Sequence, residues 1–253
     1  MPEQVTTTAC LLLIGNELLS GRTHDQNLPF LGRRLAELGI VLAEARVIVD
    51  DNATIIRHVN ECRAAYDYVF TTGGIGPTHD DITAAAIADA FGVDIEHNTA
   101  AEEELRYFYG ERVNESRLKM AQMPVGALLV KNPHSGAPGF QMDNVFVLAG
   151  IPAVMRAMFD SLAPQLRHGQ PILSRTLQTD RRESQIAAGL AGIQATYPDV
   201  SIGSYPFFTS RHRGVNVVLR GTESARLDQA WAELLALMAQ LGGECTEITE
   251  TGE

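Results

Sequence analysis

The chain has 253 residues, 45% of them apolar and 20% charged, with a formal net charge of −11. That apolar content is enough to bury a large core, which excludes a disordered or fibrous chain. The acidic balance argues against duplex nucleic acid or an anionic membrane as partner, but leaves room for a small anion held by backbone amides and a cation. Cys10, Cys62 and Cys245 are odd in number and far apart, so they spell neither a disulfide framework nor a CxxC metal site, which fits a reducing cytoplasm. The seven histidines make no i, i+4 pair, so a histidine-built zinc site is not expected.

From residue 8 to about residue 92 a strand–turn–helix pattern repeats. Residues 8–14 form a continuous apolar run, as in a parallel strand covered on both faces. No basic region precedes this run, no small-residue cleavage site follows it, and it is too short to span a bilayer, so it reads as a buried first strand. Leu28, Leu31, Leu35 and Leu38 follow at helical spacing, with Gly39 as the stop. A second strand at 41–49 ends at Asp50-Asp51-Asn52, and Ile55, Val59, Cys62 and Tyr66 mark the next helix. The third strand is 68–72, and Ile82, Ala86, Ile87, Ala90 and Phe91 line the helix after it. Three such units predict an open, mostly parallel α/β sheet with helices on both faces, a three-layer α-β-α domain over residues 1–169. Within it, residues 102–109 read as helix, 127–131 and 145–149 as strands, 132–140 as a Pro/Gly loop, and Pro152 opens a further helix. Residues 170–253 change register to β-α-β-β-α-β, an appended split-βαβ α+β module whose loop at 207–213 could reach the main site or a partner subunit. The lone Trp231 falls in its long second helix and reads as core packing.

The informative segment is 71–81, TTGGIGPTHDD. Glycines between a strand and a helix let backbone N–H groups approach an anion closely. Two acids in the same turn, Asp80 and Asp81, would repel a phosphate unless a cation sat between. A P-loop would need GxxxxGK[ST] and a dinucleotide fold GxGxxG after the first strand; neither is present. The plain alternative makes Thr78 an N-cap with acids in the first helical turn. In an open α/β sheet the turns after strands 1, 2 and 3 share the C-terminal edge, so Asp51 is expected to face Asp81 across a cleft. Two carboxylates of that kind suit Mg²⁺, which takes few protein oxygens and completes its shell with phosphate and water. The turn after strand 1, with Gly15, Asn16, Glu17, Gly21, Asp25 and Asn27, is the third wall of the cleft.

These residues resemble the signature of the molybdopterin-binding domain shared by MogA, MoaB, gephyrin and the CinA-type proteins. IGNELLSGRTHDQN (14–27), NPHSGAPGF (132–140) and LAGIPAVM (148–155) resemble the loops of the CinA and FAD synthase branches in particular. Four motifs in the same order cover roughly residues 8–168. The departures are Asn16 for the usual Thr, His79 for Lys or Arg, and Ala149 for Pro; the second removes a positive charge near the phosphates. The resemblance implies a MogA-like fold and a cytoplasmic homo-oligomer, dimer or trimer. Its cleft would take a phosphorylated nucleotide or pterin. The ligand turn would comprise Thr72, Gly73, Gly74, Ile75, Gly76, Pro77 and Thr78, with Ser135, Gly136 and Pro152 from the later loops. Asp51, Asp81 and Asp80 would hold a divalent metal, Mg²⁺ or Co²⁺, with K⁺ as a further candidate ion. Glu17 and Asn27 would orient water or ribose. The implied activity is metal-dependent hydrolysis of a nucleotide pyrophosphate of the ADP-ribose or FAD type. Molybdopterin binding and a non-enzymatic nucleotide sensor are the alternatives. The amidase activity of longer CinA proteins is not expected here.

Overall fold

The computed structural model describes residues 6–208 and 213–248. The chain divides into two compact units, Met1–Leu35 with Gly39–Gly169, and Ala36–Leu38 with Gln170–Glu253.

The first unit opens with β1 (Thr8–Ile14), a short α1 (Asn16–Leu19), α2 (Asn27–Glu37), β2 (Val41–Ile48), α3 (Asn52–Ala65), β3 (Tyr68–Thr72) and α4 (Thr83–Phe91). It continues through β4 (Ile95–His97), α5 (Thr99–Tyr109), α6 (Glu115–Leu118), β5 (Gln122–Pro124), β6 (Leu128–Val130), β7 (Gly139–Met142), β8 (Val145–Leu148) and α7 (Pro152–Leu162). The main sheet has the order β2-β1-β3-β8-β7-β6. β2, β1, β3 and β8 run parallel, while β7 and β6 add an antiparallel edge. β4 and β5 form a separate antiparallel ribbon.

Both faces of the parallel strands are covered, which is why β1 is apolar throughout. Cys10, Leu12 and Ile14 share a core with Ile55 and Val59 of α3 and Ala86 and Ile87 of α4. Leu11 and Leu13 alternate to the other face. There the rings of Phe70 and Phe159 meet at 5.7 Å and those of Phe30 and Phe159 at 6.1 Å, placing α7 and α2 together. The result is the three-layer α-β-α sandwich. The Pro/Gly loop expected over 132–140 is shorter than its composition suggests, because Gly139 and Phe140 belong to β7 and pair with Val130 and Leu129. A Cβ at Gly139 would lie 2.4 Å from the Val147 carbonyl, so that glycine serves strand approach rather than a turn.

The second unit runs β9 (Leu173–Thr179), α8 (Glu183–Thr196), β10 (Ser201–Phe208), β11 (Arg213–Gly221), α9 (Ser224–Leu241) and β12 (Cys245–Ile248). Its sheet order is β10-β11-β9-β12, so β11 is inserted between β9 and the strand that follows it through α8, and the βαβ unit is split. Leu177, Val217 and Leu219 of the sheet pack with Ile186 of α8 and with Trp231 and Leu234 of α9. Trp231 is 4% exposed with the Arg175 guanidinium 4.1 Å from its ring, a core residue. Of the loop expected at 207–213, residues 209–212 lie outside the described residues. Among the described residues no helix is long and apolar enough to cross a membrane.

Candidate functional site

Because β1, β2, β3 and β8 are parallel, the segments that leave them emerge at one edge of the sheet. Close backbone approaches stitch these turns together. Gly15 N–H donates to the Ile48 carbonyl at 3.2 Å, joining the ends of β1 and β2. Gly73 N–H donates to the Leu148 carbonyl at 3.2 Å, joining β3 to β8. Gly73 has φ +106 and a Cβ there would lie 2.2 Å from the Ile14 carbonyl, so only glycine lets the β3 turn pass this close to β1. Asn27, 5% exposed, donates from Nδ2 to the Gly150 carbonyl at 2.9 Å and so ties the β1 segment to the β8 turn. Asn16 Nδ2 donates to Asp50 Oδ1, bridging the β1 and β2 turns.

Within the β3 turn, Thr83 clamps the chain: its hydroxyl donates to the Gly73 carbonyl at 3.0 Å and its N–H to the Gly74 carbonyl at 3.0 Å. Gly74, at φ +68, takes the left-handed conformation this requires. The N–H groups of Gly74, Ile75 and Gly76 have no acceptor among the described residues. Consecutive unpaired amides are a feature that anion-binding concavities share.

The acids do not occupy the helix-capping places suggested for them. α4 begins at Thr83 with Ile82 before it, and no side chain caps it. Thr78 is therefore not its N-cap, and Asp80 and Asp81 precede the first turn. Asp81 Oδ2 instead accepts from Thr78 N–H at 2.8 Å and is within 2.6 Å of the Thr78 hydroxyl, closing a tight turn over Gly76. The same hydroxyl faces Asp80, and its bond holds that carboxyl below the usual carboxylate range. Asp51 does cap a helix. It accepts from Thr54 N–H at 3.1 Å at the start of α3, and the Thr54 side chain and amide hold its carboxyl below the ordinary range. Asp51 and Asp80 thus stay ionised in neutral solution.

Glu17 lies exposed on α1 with its carboxylate folded over Gly15. Gly21, at φ +72, ends that short helix. Pro152 sits in the first turn of α7, whose opening amides lie at the β8 turn. The 132–140 loop is different. Asn132 braces it internally, accepting from His134 and Ser135 N–H at 3.0 and 3.1 Å and donating to the Ser135 hydroxyl and the Ala137 carbonyl. Gly136, expected as a ligand contact, is buried, and a Cβ there would lie 2.4 Å from Phe108 Cβ. Its lack of a side chain serves packing on α5. A pocket of about 360 Å³ opens beside it, lined by Tyr107, Phe108 and Lys131 among others.

Carboxylates from the β2 and β3 turns, with Asp51 and Asp80 held ionised, are the kind of donor a hard divalent ion takes, and a buried Asn27 Oδ1 without a partner lies where the β1 segment meets the β8 turn. Asp51, Asp80 and Asp81 do not come within 4.8 Å of one another as a set of three among the described residues. Phosphate oxygens or water would have to complete the shell. The sequence reading missed Thr83, whose only signal was a polar β-branched residue opening an alanine-rich helix. It also missed the Asn16–Asp50 bridge, which depends on strand order and carries no local signal.

Comparison with known proteins identifies the family of this fold. Residues 10–168 match the family described as a probable molybdopterin binding domain, and residues 171–242 match the middle domain of FAD synthase. A Caenorhabditis elegans protein named probable FAD synthase is 32% identical over 94% of this chain and 51% of its own length. A CinA-like protein of Frankia casuarinae is 33% identical over 89% of this chain and 55% of its own. The chain thus spans about half the length of these curated relatives. The crystal structure of CinA from Thermoplasma acidophilum superimposes with a TM-score of 0.59 at 30% identity, covering 63% of this chain and 98% of that one. The chain belongs to the molybdopterin-binding-domain family, with a CinA-like first region followed by an FAD synthase middle domain.

Proposed function

We propose that this protein hydrolyses a nucleotide pyrophosphate of the ADP-ribose or FAD type, using a divalent metal, Mg²⁺ or Co²⁺. One observation carries the reading: three unpaired amides, Gly74 to Gly76, lie on the same turn as two carboxylates. Amides alone would serve a phosphate and carboxylates alone a cation; together they suit a phosphate that arrives with a metal.

In this scheme the amides of Gly74, Ile75 and Gly76 bind the phosphate that leaves and offset the charge it gains. Asp51 and Asp81, with Asp80, would hold the metal, which supplies charge neutralisation and a more acidic water. Glu17 accepts the proton of the attacking water, and Asn27, fixed by the Gly150 carbonyl, presents its free Oδ1 to the same water or to a ribose hydroxyl. Water adds to phosphorus, the bridging P–O bond breaks, and AMP leaves with ribose 5-phosphate from ADP-ribose or with FMN from FAD. K⁺ is a further candidate ion at the phosphates. The names of the FAD synthase relatives support a flavin nucleotide among the substrates.

Incubation with ADP-ribose or FAD plus Mg²⁺ or Co²⁺ should release AMP, and Asp81→Ala should abolish that release. Absence of AMP, or release unchanged in the variant, overturns the scheme. The family description supports a second reading, binding of molybdopterin in the same cleft. It requires molybdopterin to raise the melting temperature where nucleotides do not. Binding of nucleotide without turnover would instead assign a sensor. The expected assembly is a homodimer or trimer, to be read from light scattering.

A further inference from the structure

Two thiols that share no motif meet inside the first unit. Cys10 lies on β1 and Cys62 on α3; both are 0% exposed and their sulfurs are 3.2 Å apart. Glu44, which pairs with Cys10 across β1 and β2, is the third group of metal-ligand type in reach. A metal site is nevertheless disfavoured. The Glu44 carboxylate already accepts from Arg46 Nε at 2.8 Å and from the Tyr66 hydroxyl at 2.7 Å. A cation would have to displace these donors or sit beside the Arg46 charge, and both are costly. Two adjacent sulfurs next to a guanidinium are better suited to oxidation.

We propose that Cys10 and Cys62 form a modification site, closed to a disulfide by a peroxide. Cys62 is the attacking sulfur. The Cys10 thiol donates to it and the Arg46 charge lies close, which lowers its pKa below the ordinary thiol value, while the pKa of Cys10 is pushed upward by that same bond and by burial. Peroxide is small, and the partly exposed Glu44 beside the pair marks the side facing solvent. The Cys62 thiolate attacks one peroxide oxygen; the O–O bond breaks, hydroxide leaves and is protonated to water, and Cys62 becomes a sulfenic acid. The Cys10 sulfur then attacks the Cys62 sulfur. The S–O bond breaks, and the departing hydroxide takes the Cys10 proton as a second water. Two thiols and one peroxide give one disulfide and two waters.

The bond would join residues 52 apart in the chain. Cys10 lies near the start of β1 and Cys62 near the end of α3, whereas the candidate site uses the end of β1 and the start of α3. Closure should therefore stiffen the unit without touching the cleft. It should raise the melting temperature by about 5–10 °C, as expected for a loop of this length in a domain of this size.

The test uses the full chain carrying Cys245→Ser, which removes the exposed third thiol. After hydrogen peroxide, the intact mass should fall by two hydrogens. Trypsin should yield residues 1–22 joined to 58–63, and dithiothreitol should restore the reduced mass. In Cys10→Ala, dimedone should label Cys62; in Cys62→Ala it should leave Cys10 unlabelled. No mass loss in the folded protein overturns the proposal. Label on Cys10 alone overturns the assignment of the attacking sulfur. Stoichiometric Zn²⁺ retention that protects both thiols from peroxide replaces the proposal with a metal site.

Discussion

Gly74 and Gly92 form a matched pair for testing whether the β3 turn is a fixed cradle. Their φ angles are nearly identical, +68 and +67, and no atom would lie within 4 Å of a Cβ at Gly92. At Gly74 the same Cβ would lie 2.1 Å from Thr83 Oγ1 and 3.2 Å from Thr83 Cβ. Alanine at either position pays the left-handed backbone penalty of about 1–2 kcal/mol, offset by about 0.4–1 kcal/mol of lost freedom in the unfolded chain. Gly92→Ala should therefore cost about 0.5–1 kcal/mol. At Gly74 the methyl must also push the Thr83 hydroxyl off the Gly73 carbonyl, and Thr83 is 0% exposed, so no water replaces the bond. That adds about 1–3 kcal/mol, for a total of about 1.5–4 kcal/mol. The loss corresponds to about 3–16 °C of melting temperature in a chain of this size. Thermal and urea unfolding of the two variants side by side reads the difference. The double variant Gly74→Ala/Thr83→Ala removes the clash and should be less destabilised than the sum of its parts by about 1 kcal/mol or more. If Gly74→Ala and Gly92→Ala agree within about 0.5 kcal/mol, the turn has slack and the preset anion cradle is refuted.

Asp51 can be divided into its two roles. Asp51→Asn keeps an acceptor for Thr54 N–H and should change stability by less than about 0.5 kcal/mol, whereas Asp51→Ala should cost about 0.5–2 kcal/mol. Both should weaken Mg²⁺ binding about tenfold or more by calorimetry; retention of affinity in either removes Asp51 from the metal set. Phe159 is 0% exposed and touches the rings of Phe30 and Phe70, so Phe159→Ala should cost about 3–5 kcal/mol in urea unfolding. Glu44 is held below the usual carboxylate range by Arg46 and then Tyr66. A depressed carboxyl stabilises fully above its unfolded value of about 4.3, and that contribution is lost as pH falls through the folded value. Melting curves from neutral pH downward should therefore show a larger acid loss for the wild type than for Glu44→Gln, and equal losses would show that Glu44 takes no part.

The elements most legible in the sequence were those whose burial imposes a period. The apolar run at 8–14, the helix over 52–65 and β3 at 68–72 stand where pattern places them, because strands covered on both faces and amphipathic helices write their surroundings into composition. The glycine turn was legible for a similar reason: at Gly73 and Gly74 geometry leaves room for no other residue. What escaped was set by distant parts of the chain. β7 owes its existence to pairing with Val130 and Val147, and its glycine looked like part of a loop. The alternative that makes Thr78 an N-cap with Asp80 and Asp81 in the first turn fails because α4 starts only at Thr83, which nothing local announces. Cys10 and Cys62 looked unrelated because their meeting depends on how α3 lies across β1.

The order of the central strands has a consequence for how ligand choice can change. From β1 the chain crosses to β2 on one side through α2, then returns past β1 to β3 through α3 on the opposite face. At a topological switch point of this kind neighbouring connections diverge, which is where open α/β sheets form ligand crevices without any inserted loop or excavated core. A groove at such an edge is a by-product of connectivity. The segments that border it can be rewritten while the packed layers beneath keep their form, so a pterin or a nucleotide can be accommodated by exchanging loops alone.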